Sequence, residues 1–305
     1  MGIDGLQGHI EAQGLHWVAQ ETELSNLPLD DLRRVLGSGA EPPPGEPTLQ
    51  DRQDMVEARL ARLAGEAGAV AEAESVAGAP APAAPPAPPA SVDWRNVGGK
   101  NYVTPVEDQG TSGACAAFST IAAFESCVQI ARGNPDPPID LSEADLWYCF
   151  GPGKNPGANW WPTLALPGIV AGVVDEACYP FTDTPQACGR CASGVPTKAV
   201  GWKTLKAVAD MKQWLAQHGP VIAAIMLFQD FVQYKSGVYA PVRGPSNQWV
   251  GSHCICVIGY DDARSAWIVK NSWGTARWGT GGFGEIAYGA CSIDSQMWGI
   301  TGVAP

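Results

Sequence analysis

The chain has 305 residues, of which 45% are hydrophobic, and this is enough to bury one large core or two moderate ones. Its net charge is −12, with 31 acidic residues against 19 basic ones and no basic cluster, so we exclude nucleic acid and anionic membrane surfaces as partners. The sequence contains no apolar run of about 18 residues, and its N-terminus MGIDGLQGHI lacks the pattern of a secretory signal, so we expect a soluble chain.

The first 90 residues differ in composition from the rest. They hold five Lys or Arg against 14 Asp or Glu, and Trp17 is their one aromatic residue, whereas all nine cysteines lie further along the chain. Residues 77–91, AGAPAPAAPPAPPAS, form a tract that favours an extended, stiff spacer. We therefore predict an acidic helical segment over 1–76, an Ala/Pro-rich linker over 77–90 and a globular domain over 91–305.

Two helices are expected in the acidic segment. One covers roughly 28–36 and ends at Gly37, and the other opens at Thr48 and continues to about residue 63. With so few large apolar residues, this segment is not expected to fold alone. We expect it to dock on the domain that follows.

The domain begins with helices and continues with strands. A helix of about 17 residues starts near Ala114 and ends at Gly133, a second starts at Ser142, and a third covers 207–218. Short apolar or alternating runs follow and predict antiparallel strands: VIAAIML, GVYAP, HCICVIGY, AWIVKN and GFGEIAY. This order indicates an α+β fold.

A candidate nucleophile stands at the start of the long helix. Cys115 follows a glycine-containing loop, and the amide groups and dipole of a helix N-terminus stabilise a thiolate. A packed helix cysteine is the plainer alternative. A cysteine nucleophile requires a base, and the domain offers His218 and His253. We interpret His218, at a helix end before Gly219, as structural.

His253 has a suitable partner across a predicted hairpin. A turn centred near residue 262 pairs the strand from His253 with the strand AWIVK, and this register places His253 opposite Asn271. The side-chain carbonyl of Asn271 would accept one imidazole N–H and leave the other nitrogen facing the thiol. Trp273 would shield that hydrogen bond from water.

Four motifs resemble the papain and cathepsin L family of cysteine proteases. They are SVDWR at 91–95, VTPVEDQGTSGAC at 103–115, LSEADL at 141–146 and VKNSWGTARWGTGGFGEI at 269–286. The order Cys115, His253, Asn271 also agrees with the family. The resemblance covers nearly all of 91–305 and implies a two-lobed papain-like fold with a helical and a β-rich lobe. It further implies a monomeric cysteine endopeptidase that acts on peptides or proteins without a cofactor or metal.

The resemblance assigns further residues. Gln109 would supply the side-chain donor of the oxyanion hole, and Cys149 would form a disulfide with Cys188. Substrate would be bound, with a default preference for an apolar residue at P2, by residues around the cleft: Trp273, Trp161, Pro162, Ser252 and Gln296. The chain departs from the family at Ser112 and Ala116, where a disulfide cysteine and a tryptophan are usual.

The segment LHWVAQETELSNLPLDDLRRVLG at 15–37 resembles bacterial forms of the family's prosegment. This implies an intramolecular inhibitor that covers the cleft and is removed by cleavage within the linker. An unrelated docking extension is the alternative. The cysteine content favours a secreted or extracytoplasmic location, although the chain shows no signal peptide.

Three alternatives remain at this point. A peptide ligase or transpeptidase would use the same residues, and a papain fold retained only for binding would lack activity. A zinc site is suggested by Cys188-x-x-Cys191 and Cys254-x-Cys256. We expect no metal, on the interpretation that strand alternation directs Cys254 and Cys256 to opposite faces.

Overall fold

The computed structural model describes residues 2–35, 51, 87–153, 161–245 and 247–305. Its buried apolar side chains form two clusters, one around a long helix and the other along the large sheet. These clusters are the cores of a helical lobe and a β-rich lobe. The α+β architecture with two lobes is therefore as the sequence predicts.

The helical lobe is organised by one helix that is buried along most of its length. Among the described residues the helices are α1 (Ile3–Ala12), α2 (Leu29–Val35), α3 (Cys115–Arg132), α4 (Pro162–Ala171) and α5 (Val208–Gln217). Helices α3 and α4 belong to the helical lobe, whereas α1, α2 and α5 pack on the β-rich lobe. Helix α3 consists largely of small and apolar residues, so it packs closely on all sides. It ends at Gly133, whose φ of 64° closes a left-handed C-cap.

The helix expected from Ser142 is shorter than a regular helix. Asp145–Phe150 form a single π-helical turn. Ser142 Oγ accepts a hydrogen bond from the Asp145 N–H at 2.9 Å, as in a capping box. The Asp145 carboxylate makes other contacts: it accepts a hydrogen bond from the Val174 N–H and forms a salt bridge with Arg190.

In the part of the chain that the structure describes, nine strands form one sheet, in the order β1-β5-β8-β7-β6-β4-β9-β3, with β2 paired to β6. They are β1 (His16–Ala19), β2 (Ser91–Asp93), β3 (Trp202–Leu205), β4 (Val221–Phe228), β5 (Tyr234–Tyr239), β6 (Trp249–Asp261), β7 (Ala266–Lys270), β8 (Phe283–Ala287) and β9 (Met297–Ile300). The five predicted runs correspond to β4, β5, β6, β7 and β8. Pairing is antiparallel except between β5 and β8, which are parallel.

The hairpin register differs from the prediction by two residues. Cys256 lies opposite Lys270. A β-bulge lies between Val257 and Gly259, and on its turn side the register differs by one residue more. His253 and Asn271 are therefore diagonal neighbours rather than direct partners. Because the shift is even, both side chains keep the expected face of the sheet.

The described part of the acidic segment packs on the β-rich lobe. Strand β1 pairs with β5, where Trp17 lies opposite Gly237. Glycine is required at this position, because its φ is 90° and a Cβ would come within 2.2 Å of the His16 carbonyl oxygen. The helix expected at 28–36 is present as α2. The one expected from Thr48 lies, except for Asp51, outside the described residues, as does most of the 77–90 linker.

Candidate active site

Cys115 is the first residue of α3, as the sequence indicates. Its side chain is 3% exposed. The interaction with the Cys254 side chain has the largest effect on the pKa of the Cys115 thiol and lowers it, and the interaction with His253 lowers it further. Burial acts in the opposite direction, but the pKa is held well below its usual value. The thiol is thus favoured in its nucleophilic form.

His253 is anchored through one ring nitrogen. Its Nε2 lies 2.8 Å from Asn271 Oδ1, and Asn271 Oδ1 also accepts the N–H of Ser272 at 2.8 Å. This second bond fixes the amide with its oxygen toward the imidazole, so Nε2 is the donor. The other nitrogen, Nδ1, is buried without a hydrogen bond of ordinary length and is the one available to exchange a proton with the thiol.

Trp273 packs against His253 with 4.7 Å between the ring centroids. The indole is buried and also contacts Phe231 and Trp278 edge to face. It occupies the place expected of a shield for the imidazole. These contacts hold the ring of Trp273 in one orientation beside the histidine.

The loop before Cys115 is joined to the segment that carries Asn271. The Gln109 N–H donates to the Ser272 carbonyl at 2.9 Å, and Gln109 Oε1 accepts from Ser272 Oγ at 2.6 Å. Gln109 Nε2 donates to the Ser112 carbonyl at 2.7 Å, and an amide nitrogen carries a second N–H. The nucleophile loop and the segment that follows β7 are therefore fixed relative to each other.

The remaining predicted substrate-binding residues are dispersed. Ser252 is buried beside His253 on β6, whereas Gln296 is buried immediately before β9. Trp161 caps the N-terminus of α4, where Pro162 is the first residue, and its ring lies in the core of the helical lobe. Trp161 therefore has a packing role in the helical lobe. Its contact with substrate stays a prediction.

The described residues contain two disulfides, both in the helical lobe. Cys149 is bonded to Cys188, the pair that the resemblance implies, and Cys178 is bonded to Cys191, which the sequence left without a partner. The bonded state of Cys188 and Cys191 removes half of the suggested zinc ligands. Within the residues that the structure describes, no cluster of three or more His, Cys, Asp or Glu could hold a metal.

The interpretation that Cys254 and Cys256 face opposite sides of the sheet was wrong. Residues two apart on a strand share a face, and both side chains belong to the core cluster that packs on α3. Cys256 is deeply buried, and burial raises its pKa to about 12. Cys254, by contrast, contacts the candidate nucleophile.

A group of buried carboxyls lies behind the site, and the sequence analysis did not identify it. Glu125 accepts hydrogen bonds from Thr104 and from the Leu141 N–H, and burial raises its pKa to about 7. Burial also raises the pKa of Glu143 well above its usual value. Lys270 is the buried cation that faces Glu125 and donates to Thr104.

The family model described as "Papain family cysteine protease" matches residues 88–301. Pro-cathepsin H of Mus musculus is 35% identical over 211 residues, which are 66% of this chain and 60% of the mouse protein. The thiol protease aleurain of Arabidopsis thaliana is 34% identical over 204 residues, 65% of this chain and 55% of that protein. The chain thus spans less than two thirds of these curated relatives.

Solved structures share the fold. The proCathepsin B S9 of Trypanosoma congolense superposes with a TM-score of 0.72 at 20% identity, covering 99% of this chain and 98% of the other. The cysteine protease CMS1MS2 of Carica candamarcensis gives a TM-score of 0.59 at 29% identity and covers 70% of this chain and 99% of its own. No helix among the described residues is both long and apolar enough to cross a membrane.

Proposed function

Because this chain belongs to the papain family of cysteine proteases, we propose that it is a cysteine endopeptidase made as an inactive precursor. The observation that carries the proposal is the site itself. A thiol with a lowered pKa stands at a helix N-terminus, and the neighbouring His253 is oriented by Asn271 at 2.8 Å.

The proposed reaction begins at the sulfur of Cys115. The Cys115 thiolate attacks the scissile carbonyl carbon and forms a tetrahedral intermediate. The C–N bond then breaks, His253 Nδ1 gives its proton to the leaving amine, and a thioester remains. Water, deprotonated by His253, attacks the thioester, releases the carboxylic acid and regenerates the thiolate.

Gln109 has the role of oxyanion donor in this proposal. Negative charge develops on the carbonyl oxygen in the tetrahedral intermediate, and a donor that is already oriented stabilises it without reorganisation. The amide of Gln109 is fully buried and fixed by Ser112 and Ser272, which supports this assignment. The backbone N–H of Cys115 is the second donor.

The segment 1–76 is proposed to inhibit the peptidase domain of 91–305 until it is cleaved within 77–90. Its described part is an integral layer of the β-rich lobe, since Leu6, Ile10, Trp17 and Leu24 lie in that lobe's core. Trp17 Nε1 donates to the Ala240 carbonyl at 2.9 Å. Such docking favours a bound, inactive precursor over a free extension.

The test is hydrolysis of fluorogenic dipeptide substrates with an apolar P2 residue by full-length protein, before and after mild acid or limited proteolysis. Wild type is expected to become active only after the front segment is lost, and Cys115→Ser is expected to stay inactive. Cys127→Ser is the matched control: Cys127 lies on the same helix, and burial raises its pKa to about 11. This variant should behave as wild type.

Processed wild type that stays inert under reducing conditions would contradict the proposal and favour a binding protein. Product analysis by mass spectrometry with an added amine nucleophile separates hydrolysis from peptide ligation. A dominant amide product would identify a ligase that uses the same Cys115 and His253.

A further inference from the structure

Cys254 lies immediately after His253 on β6, opposite Ala224 of β4. Its side chain is 3% exposed and packs in the core cluster that contains the start of α3. A strand residue that follows the base thus points toward the helix that carries the nucleophile. This position brings a second thiol to the active site.

The contact with Cys115 involves both parts of Cys254. The thiol of Cys254 and its backbone N–H both act on the Cys115 thiol as hydrogen-bond partners that lower its pKa. Among the interactions that shift the pKa of Cys115, the side-chain bond from Cys254 is the largest, and it lowers that pKa. The other titratable group that acts on the thiol is His253, and it also lies on β6.

We propose that Cys254 is a positioning residue for the nucleophile: its S–H and backbone N–H donate to the Cys115 sulfur and hold it as a thiolate beside His253. This inference rests on the proposed function of Cys115. A hydrogen bond to an ionised acceptor is stronger than one to a neutral acceptor, so the contact favours the charged form. An apolar side chain at position 254 would leave only the backbone donor.

The arrangement also separates two tasks at the site. His253 Nδ1 makes no hydrogen bond of ordinary length, whereas Nε2 is fixed by Asn271. Donors from Cys254 stabilise the sulfur, and the imidazole remains available to carry a proton to the leaving amine. Ionisation of Cys115 therefore depends on Cys254 as well as on His253.

The experiment compares Cys254→Ala, which removes the side-chain donor, with Cys254→Ser, which retains one of similar size. Thiolate formation at Cys115 is followed against pH by the ultraviolet absorbance of the full-length chain. The same titration with Cys115→Ser in each background is subtracted. The thiolate-to-thiol ratio at acid pH is expected to fall roughly threefold to tenfold in Cys254→Ala. Cys254→Ser is expected to recover most of this loss.

Cys256→Ala is the matched control, because Cys256 is equally buried on the same strand and face. Its titration should equal that of wild type. If Cys254→Ala does not fold, the titrations of Cys254→Thr and Cys254→Val are compared instead. These two side chains have the same shape, and only threonine has a hydrogen-bond donor. Equal titration curves with and without the donor overturn the proposal, as does an equal shift in Ala and Ser, which would indicate packing alone.

The titration needs no substrate, so its outcome is independent of hydrolysis. If the titration shifts in Cys254→Ala but the chain cleaves no peptide, the role of Cys254 is supported and the proposed protease activity is contradicted. An unshifted titration in an active protease would reject the contact alone. For active protein, the acid limb of kcat/KM should move upward in pH in Cys254→Ala and return in Cys254→Ser.

Discussion

The imidazole of His253 is stacked at a tilt of 35° against the indole of Trp273, and both rings are almost completely buried. The indole covers one face of the imidazole while Asn271 holds Nε2. A histidine that is constrained in both ways has little freedom to leave its catalytic orientation. The proposed base therefore depends on a residue that takes no part in proton transfer.

Replacing Trp273 with alanine should lower kcat/KM by about tenfold or more, because water reaches the His253–Asn271 hydrogen bond and the imidazole gains freedom to rotate. The measurement is hydrolysis of a fluorogenic dipeptide by processed protein. Trp249→Ala is the control, since Trp249 is 49% exposed at the start of β6. Unchanged activity in Trp273→Ala would show that the indole has only a packing role.

Gln109→Ala is expected to reduce kcat by about 10²-fold with a smaller effect on KM, because the donor acts on charge that develops in the transition state. Thiolate titration of Cys115 should be retained. Gln248→Ala, at an exposed position, is the control for kinetics. An increase in KM with kcat intact would assign Gln109 to ground-state binding instead of the oxyanion hole.

Glu125 should make stability depend on pH. Burial raises its pKa from 4.5 to about 7, although Lys270 acts in the opposite direction. The folded state therefore holds this proton more tightly than the unfolded state. The resulting stabilisation is complete below pH 4.5 and is lost as the pH rises through about 7.

The melting temperature of the full-length chain is expected to decline over this window, and Glu125→Gln should make the decline shallower. Glutamine carries no charge, and it can accept the Leu141 N–H through its oxygen and donate an N–H to Thr104 Oγ1 in place of the bond that Glu125 accepts there. Asp140 and Glu143 also interact with Glu125, so part of the pH dependence of the melting temperature should remain in the variant. Glu21→Gln, at an exposed position, is the control, and the same slope in both variants would contradict the assignment.

The elements that the sequence predicted are those with strong local patterns. Helix α3 and strands β4 to β8 have the required length and periodicity, and Gly133 marks the helix end. Strands β1, β2, β3 and β9 have three or four residues and obtain their hydrogen bonds from distant partners, so local pattern does not reveal them. The hairpin register differs because the turn is centred between residues 263 and 264 and not at 262, and the bulge near Gly259 reduces the difference from three residues to two.

The candidate site was predictable where chemistry restricts the residue type. A nucleophile at a helix N-terminus, a histidine and an amide partner are recognisable from the chain, and Asn271 meets His253 despite the register error. The role of Cys254 was hidden, because it depends on which residues of β6 face α3. Strand alternation, applied with a period of two, would have grouped Cys254 with Cys256.

Trp17 should control how firmly the front segment is held. Its ring contacts Tyr239 with 5.1 Å between centroids, and its Nε1 bonds the Ala240 carbonyl. Trp17→Ala removes this contact, which is worth about 3–5 kcal/mol for a buried tryptophan. The variant is expected to melt at a lower temperature and to gain activity sooner after mild acid.

Val18→Ala is the matched control, because Val18 lies on the same strand with its side chain 49% exposed. It should keep the melting temperature and the activation time of wild type. Activation is followed with the fluorogenic substrate, and loss of the front segment is followed by gel electrophoresis of the same samples. If Trp17→Ala is destabilised and yet activates no sooner than wild type, docking of β1 supports the fold without restraining the enzyme. Inhibition would then be assigned to a part of the segment other than residues 16–19.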